Sequence, residues 1–167
     1  MIIRPFAPGD EGDIVGFLQS VFNGWPHFDL GCPPLDHWRW KYDDNPLRSK
    51  SVVVAESGKR IIGCSHGFHL NVKLGHRSVK AQQSVDLAIS ENFRGMGINP
   101  KITAAKNEIA KEKKVSLSYG LSATPIVVRS KIKIDQPRFP SQIRHMTRIM
   151  DVEKHLRSIN SKNKLVK

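Results

Sequence analysis

The chain has 167 residues, of which 39% are hydrophobic and 25% charged, with 12 glycines and 10 prolines, a composition that suits one folded domain and disfavours a disordered, collagenous or low-complexity chain. Lys and Arg number 27 against 15 Asp and Glu, a net charge of +12, distributed as −2 over residues 1–50, +6 over 51–128 and +8 over 129–167. Such a surplus attracts anions, whether nucleic acid, a nucleotide cofactor or an acidic protein, and no apolar run approaches the length needed to cross a bilayer.

Met1–Phe6 reads as a strand ended by the turn Ala7-Pro8-Gly9-Asp10. Asp10 or Gly12 then opens a helix in which Ile14, Phe17, Leu18, Val21 and Phe22 recur at helical spacing. A Gly- and Pro-rich loop over 24–34 leads to a short helix over 35–42, which must stop before Asp43-Asp44-Asn45-Pro46 because the residue preceding proline disfavours helical geometry. From Ser51 the period is that of strands. Ser51–Glu56, the turn Ser57-Gly58-Lys59 and Arg60–Asn71 form a hairpin, and a further strand over 79–89 follows the turn Leu74-Gly75-His76. A glycine-containing loop over 92–99 precedes a helix over 100–114 with Ile102, Ala105 and Ile109 on one face. Val115–Leu121 reads as a strand, 125–131 as a short helix and 144–152 as a last strand. This order predicts an α/β (mixed α+β) domain with a largely antiparallel sheet over residues 1–151 and a basic tail over 152–167.

No secretory leader pattern occurs near Met1, so a cytoplasmic location is expected, with Cys32 and Cys64 reduced and buried as small hydrophobes. Cys64, His66 and His69 are metal-ligand types, but strand alternation puts Cys64 and His66 on one face and His69 on the other, so no metal is expected. Trp25, Trp38, Trp40 and Tyr42 suit either a substrate wall or core packing, and Trp38 and Tyr42 share a helix face. The Lys-rich end, 154–167, suits a solvated terminus or nonspecific nucleic-acid binding.

The segment Val85-Asp86-Leu87-Ala88-Ile89-Ser90-Glu91-Asn92-Phe93-Arg94-Gly95-Met96-Gly97-Ile98-Asn99-Pro100 carries the most chemistry. A strand entering a glycine-bearing turn and then a helix gathers backbone N–H groups and the positive helix end at one place, where a pyrophosphate is bound without side chains. Here the sequence resembles the GNAT superfamily of acyl-CoA N-acyltransferases, whose signature Q/R-x-x-G-x-G/A is matched by Arg94-Gly95-Met96-Gly97-Ile98-Asn99 except at the last position. Trp40-Lys41-Tyr42 with Asn45-Pro46 is similar to a W-K-Y-x-x-N-P segment found in one branch of that superfamily. The resemblance implies a GNAT-like fold with a splayed central strand pair and flanking helices, and transfer of an acetyl group from acetyl-CoA to a primary amine. It further implies that the backbone of Leu87, Ala88 and Ile89 binds the pantetheine arm, and that the N–H groups of Arg94, Gly95, Met96, Gly97, Ile98 and Asn99 bind the pyrophosphate. A base must deprotonate the amine, and an acid, often a tyrosine, protonates the departing thiolate.

Two departures qualify that reading. Asn99-Pro100 reads as a helix start with Asn as N-cap, which spends one N–H and lacks another. The family's tyrosine position falls on Arg129, which stays charged and can assist a thiolate or a phosphate only electrostatically. Asp86 is the candidate base, although it is out of phase with Val85, Leu87 and Ile89 and equally reads as facing solvent. Tyr119 is a displaced acid or a core tyrosine. The alternative to an enzyme is the same fold serving as an inactive acyl-CoA-binding or basic interaction module.

Overall fold

In a computed structural model the chain is described over residues 1–26 and 30–121. The first strand, β1 (Ile2–Pro5), is followed by α1 (Glu11–Phe22) and α2 (Pro34–Tyr42). The strands β2 (Lys50–Ser57), β3 (Arg60–Leu74) and β4 (Arg77–Ile89) come next, then a single 3-10 turn at Glu91–Phe93, helix α3 (Ile98–Glu112) and β5 (Leu117–Tyr119). The expected elements over 125–131 and 144–152, Arg129 and the tail over 152–167 lie outside the described residues.

The five strands form one sheet in sequence order, antiparallel except for the parallel pair β4–β5. Local chemistry sets the connections. Gly58 and Lys59 both take positive φ, +56° and +63°, making the two-residue turn whose twist matches antiparallel strands. Gly75 at φ +59° turns the next hairpin, which is longer than its apolar pattern suggests, because β3 continues to Leu74 and β4 begins at Arg77.

The run Val52-Val53-Val54-Ala55 is buried throughout, and its alternation supplies two cores. Val52 and Val54 join Cys64, Ala88, Ile14 and Leu18 of α1, and Trp38 and Tyr42 of α2. Val53 and Ala55 join Ile62, Ile98 and Ile102 beneath α3. Thus α1 and α2 cover one face and α3 the other, as expected for a mixed α/β layer. Cys64 is buried, but Cys32 is exposed, because it sits in the polar loop before α2. Among the described residues no helix is long and apolar enough to cross a membrane.

Candidate active site

Two features of β4 organise the site. Its pairing with β5 covers Ala81↔Leu117, Gln82↔Ser118 and Gln83↔Tyr119 and, among the described residues, stops there. Cys64 then pairs with Ala88 and His66 with Val85, so that Ser65 opposes two residues, Asp86 and Leu87: a β-bulge. Asp86 takes φ +47°, a left-handed conformation that Asp tolerates better than most residues.

The bulge corrects the expectation that Asp86 faces solvent. The extra residue resets the alternation, and the carboxylate turns toward the α1–α2 side. Its Oδ1 accepts from Trp25 Nε1 at 3.1 Å, its Oδ2 from Lys41 Nζ at 2.8 Å and from the Tyr42 hydroxyl. The backbone of the same residue is held too: His66 Nδ1 lies 3.1 Å from the Asp86 carbonyl, while His66 Nε2 accepts from Trp38 Nε1 at 3.1 Å. These partners fix the Nδ1–H tautomer and occupy both ring nitrogens. His69 is likewise taken, with Ser49 Oγ at 2.7 Å and Ser51 Oγ at 2.9 Å.

Electrostatics follow from this packing. Burial raises the Asp86 carboxyl, but the Lys41 ammonium and the hydrogen bonds from Lys41 and Tyr42 outweigh it and hold the group below the usual carboxylate range. An acid held ionised in this way is a weak proton acceptor, which argues against the base role. Burial pushes the Tyr42 hydroxyl well up, pushes the Cys64 thiol up, and takes His66 down to about 4.

Asp86→Ala removes one partner of a largely buried ion pair and puts a side chain that disfavours positive φ at the bulge. The expected loss is about 3 kcal/mol, read as a lowered midpoint in urea. Because the folded carboxyl titrates below its ordinary value, the wild-type advantage over the variant is full above the ordinary aspartate range and fades as pH falls through the lower folded value.

Asp86 also lies on the wall of a cleft of about 780 Å3, whose lining includes Trp25, His37, Trp40, Lys41, Asp44 and Phe68. Four of these, His37, Trp40, Lys41 and Asp44, recur at i, i+3, i+4 and i+7 and form the cleft side of α2 and its end, with His37 itself buried. Trp38, Tyr42 and Asn45 form the inward face, all buried. Asn45 ties the end of α2 by donating to the Tyr42 carbonyl at 2.8 Å and accepting from the Ser49 N–H at 3.3 Å. The two readings of the aromatic residues therefore overlap: Trp38 and Tyr42 are core, with ring centroids 5.1 Å apart, Trp25 is a buried core residue that also borders the cleft, and Trp40 stands exposed beside it. The His37 ring lies 5.5 Å from each of the Trp25 and Trp40 rings. Burial and the Lys41 charge lower its pKa, against the opposing pull of Asp86, so it is neutral at pH 7. His37 was not among the residues singled out in the sequence.

At the far end of β4 the glycine loop follows the expected path with one correction. Helix α3 begins at Ile98, so Gly97 (φ +70°) precedes it and Asn99 is inside the first turn. The Asn99 Oδ1 accepts from Thr103 Oγ1 at 3.1 Å and takes up no backbone N–H. Pro100 still contributes no donor. Among the described residues, chain neighbours aside, nothing lies within 4 Å of the position a Cβ would take at Gly95 (φ +79°) or Gly97, and the first turn of α3 holds no acidic residue. The loop thus has the open space and the unopposed positive helix end that a pyrophosphate requires. Ser90 N–H donates to Ile62 O at 2.8 Å, so alternation turns the Ala88 peptide toward β3 and that of Ile89 toward the open edge. Leu87 is exposed and Ala88 is buried. Tyr119 is the last β5 residue paired with β4 among the described residues, with its hydroxyl donating to Gln83 Oε1 at 3.2 Å.

A mixed sheet, of five strands among the described residues, with β4 leading through a glycine turn into a helix matches the GNAT acetyltransferase fold. The chain belongs to the GNAT acetyltransferase family: the family model described as an acetyltransferase (GNAT) domain matches residues 3–131. Its fold is similar to that of a predicted acetyltransferase from Clostridium acetobutylicum solved with acetyl-CoA, at TM-score 0.71 and 13% identity over 87% of this chain and 95% of that one. It is also similar to an aminoglycoside acetyltransferase from an uncultured soil metagenomic sample solved with sisomicin, at TM-score 0.66 and 19% identity over 90% and 96% of the two chains. A third similar structure is AAC(6')-Iy with a bisubstrate analogue joining CoA to acetylneamine, at TM-score 0.67 and 15% identity over 89% and 98%. No curated protein matches the sequence.

Proposed function

We propose that the protein transfers the acetyl group of acetyl-CoA to a primary amine, with the thioester along the open edge of β4 and the amine in the aromatic cleft. The observation that carries this reading is that Asp86 belongs to both places: it is the bulge residue of β4 beyond the β5 pairing, and it lines the cleft. The loop from Arg94 to Asn99 would hold the pyrophosphate, and the open peptide edge around Leu87 and Ile89 the pantetheine arm.

In the step, the amine lone pair attacks the thioester carbonyl carbon, a C–N bond forms and the C–S bond breaks. An ammonium substrate gives an amide, CoA thiol and one released proton. His37, neutral and beside the cleft, accepts the proton that leaves nitrogen as the bond forms. Asp86 stays ionised, and its part is to hold the bulge. The thiolate takes its proton from water or from Tyr119, whose hydroxyl must first leave Gln83. Arg129, outside the described residues, is a further candidate for stabilising that charge.

Calorimetry with acetyl-CoA followed by thiol detection over an amine panel tests the reading. Binding of acetyl-CoA and amine-dependent thiol release are expected. Tight binding with no release from any amine would instead favour an acyl-CoA-binding module without turnover, a reading to which the tie between Tyr119 and Gln83 lends support.

A further inference from the structure

We infer that the acceptor is a monoamine with a flat apolar body, an arylalkylamine in type, and that polycationic amines such as aminoglycosides are discriminated against. This rests on the proposed transfer to an amine and names the substrate class of that same cleft.

Shape is the first argument. The cleft of about 780 Å3 is of small-molecule size, and Trp25, His37 and Trp40 stand in a row along it, with His37 at 5.5 Å from each neighbour. Trp40 is 65% exposed, an indole face left open on a surface where such a ring gains most by stacking on a ligand. Pro26, Pro46 and Phe68 add further apolar wall.

Charge is the second. A polycation needs several uncompensated carboxylates. Among the described lining residues the carboxylates are Asp44 and Asp86, and Asp86 is already neutralised by Lys41 Nζ at 2.8 Å. The Lys41–Asp86 pair therefore offers no net negative charge to a second cation. With Asp44 against a neutralised Lys41–Asp86 pair, the described wall carries about one net negative charge and balances one ammonium.

The two classes are separable by calorimetry on the full chain saturated with CoA, which lacks the acetyl group and so permits no turnover. 2-Phenylethylamine and neamine are titrated into wild type and into Trp40→Ala, a variant that loses an exposed ring and its contact with His37. The expected result is at least about tenfold tighter binding of 2-phenylethylamine than of neamine, about 1.4 kcal/mol, and about tenfold weakening of 2-phenylethylamine by Trp40→Ala. Tighter binding of neamine, no binding of 2-phenylethylamine, or an affinity unchanged in Trp40→Ala would each overturn the assignment. Thiol release from acetyl-CoA, measured separately with both amines, keeps the two questions apart. Turnover of neamine alone sinks the substrate class and leaves acetyl transfer standing. Binding of 2-phenylethylamine without any thiol release does the reverse.

Discussion

Gly97→Leu is expected to lower acetyl-CoA affinity by at least about 100-fold, equivalent to about 2.7 kcal/mol, in a chain that still folds. Among the described residues a Cβ there meets nothing within 4 Å beyond its chain neighbours, and a larger side chain would occupy the space in front of the α3 N-terminus where the pyrophosphate is proposed to sit. The positive φ of +70° adds about 1–2 kcal/mol of backbone strain for a leucine, a modest destabilisation that a denaturation curve reads directly. Gly97→Asn separates the two effects. Asparagine accepts left-handed geometry but still fills the space, so it should keep the wild-type unfolding midpoint and lose most of the affinity. Unchanged acetyl-CoA binding in both variants would remove the loop from the site.

The second large effect is expected at His37. A positioned proton acceptor is worth about 100-fold or more in rate, so His37→Gln should lower kcat by about that factor while leaving the acetyl-CoA dissociation constant near wild type. Its pKa is lowered from the ordinary histidine value by burial and by Lys41. The wild-type rate should therefore fall on the acid side with a midpoint below the ordinary histidine value, as the imidazole takes up a proton, and the variant should lack this acid limb. Lys41 and Asp86 face the ring from α2 and β4 with opposite effects, Asp44 lies on the same cleft, and neither Asp86 nor Asp44 is required for the proton transfer. An acid limb that persists unaltered in His37→Gln would show that another group accepts the proton.

Much of the framework was legible because it depends on local chemistry. Gly58-Lys59 and Gly75 mark turns, the alternating Val and Ala residues of β2 mark a doubly covered strand, and Gly95 and Gly97 mark the turn between β4 and α3. The residues that fill the cleft were legible only in part. Period-two reading assigned Asp86 to the wrong side because a bulge is one extra residue, and its location is decided by what holds it: His66 on its own sheet and Trp25, Lys41 and Tyr42 from distant segments. The start of α3 was misplaced by two residues because Asn99-Pro100 has the chemistry of a helix start, while Gly97 made the tighter turn first. His37 had a signal: the spacing 37, 40, 41, 44 runs parallel to 38, 42, 45, giving α2 one polar-aromatic face and one buried face. Nothing in that spacing alone says which face borders a cleft.

The bulge has a consequence for how the molecule acquires its competence. The β3–β4 hairpin closes from its own turn by contacts between near neighbours in sequence, but the bonds that secure Asp86 span 28 residues between Trp38 and His66, 45 between Lys41 and Asp86, and 61 between Trp25 and Asp86. Loop closure of that length costs more entropy than zipping a hairpin, so secondary structure forms ahead of the strained residue's final geometry. The chemistry-bearing corner thus matures after the β3–β4 hairpin. Trp25 and Trp38, both donors in those long-range bonds, are built-in reporters of its arrival: during refolding their fluorescence should settle later than the far-ultraviolet signal of the sheet.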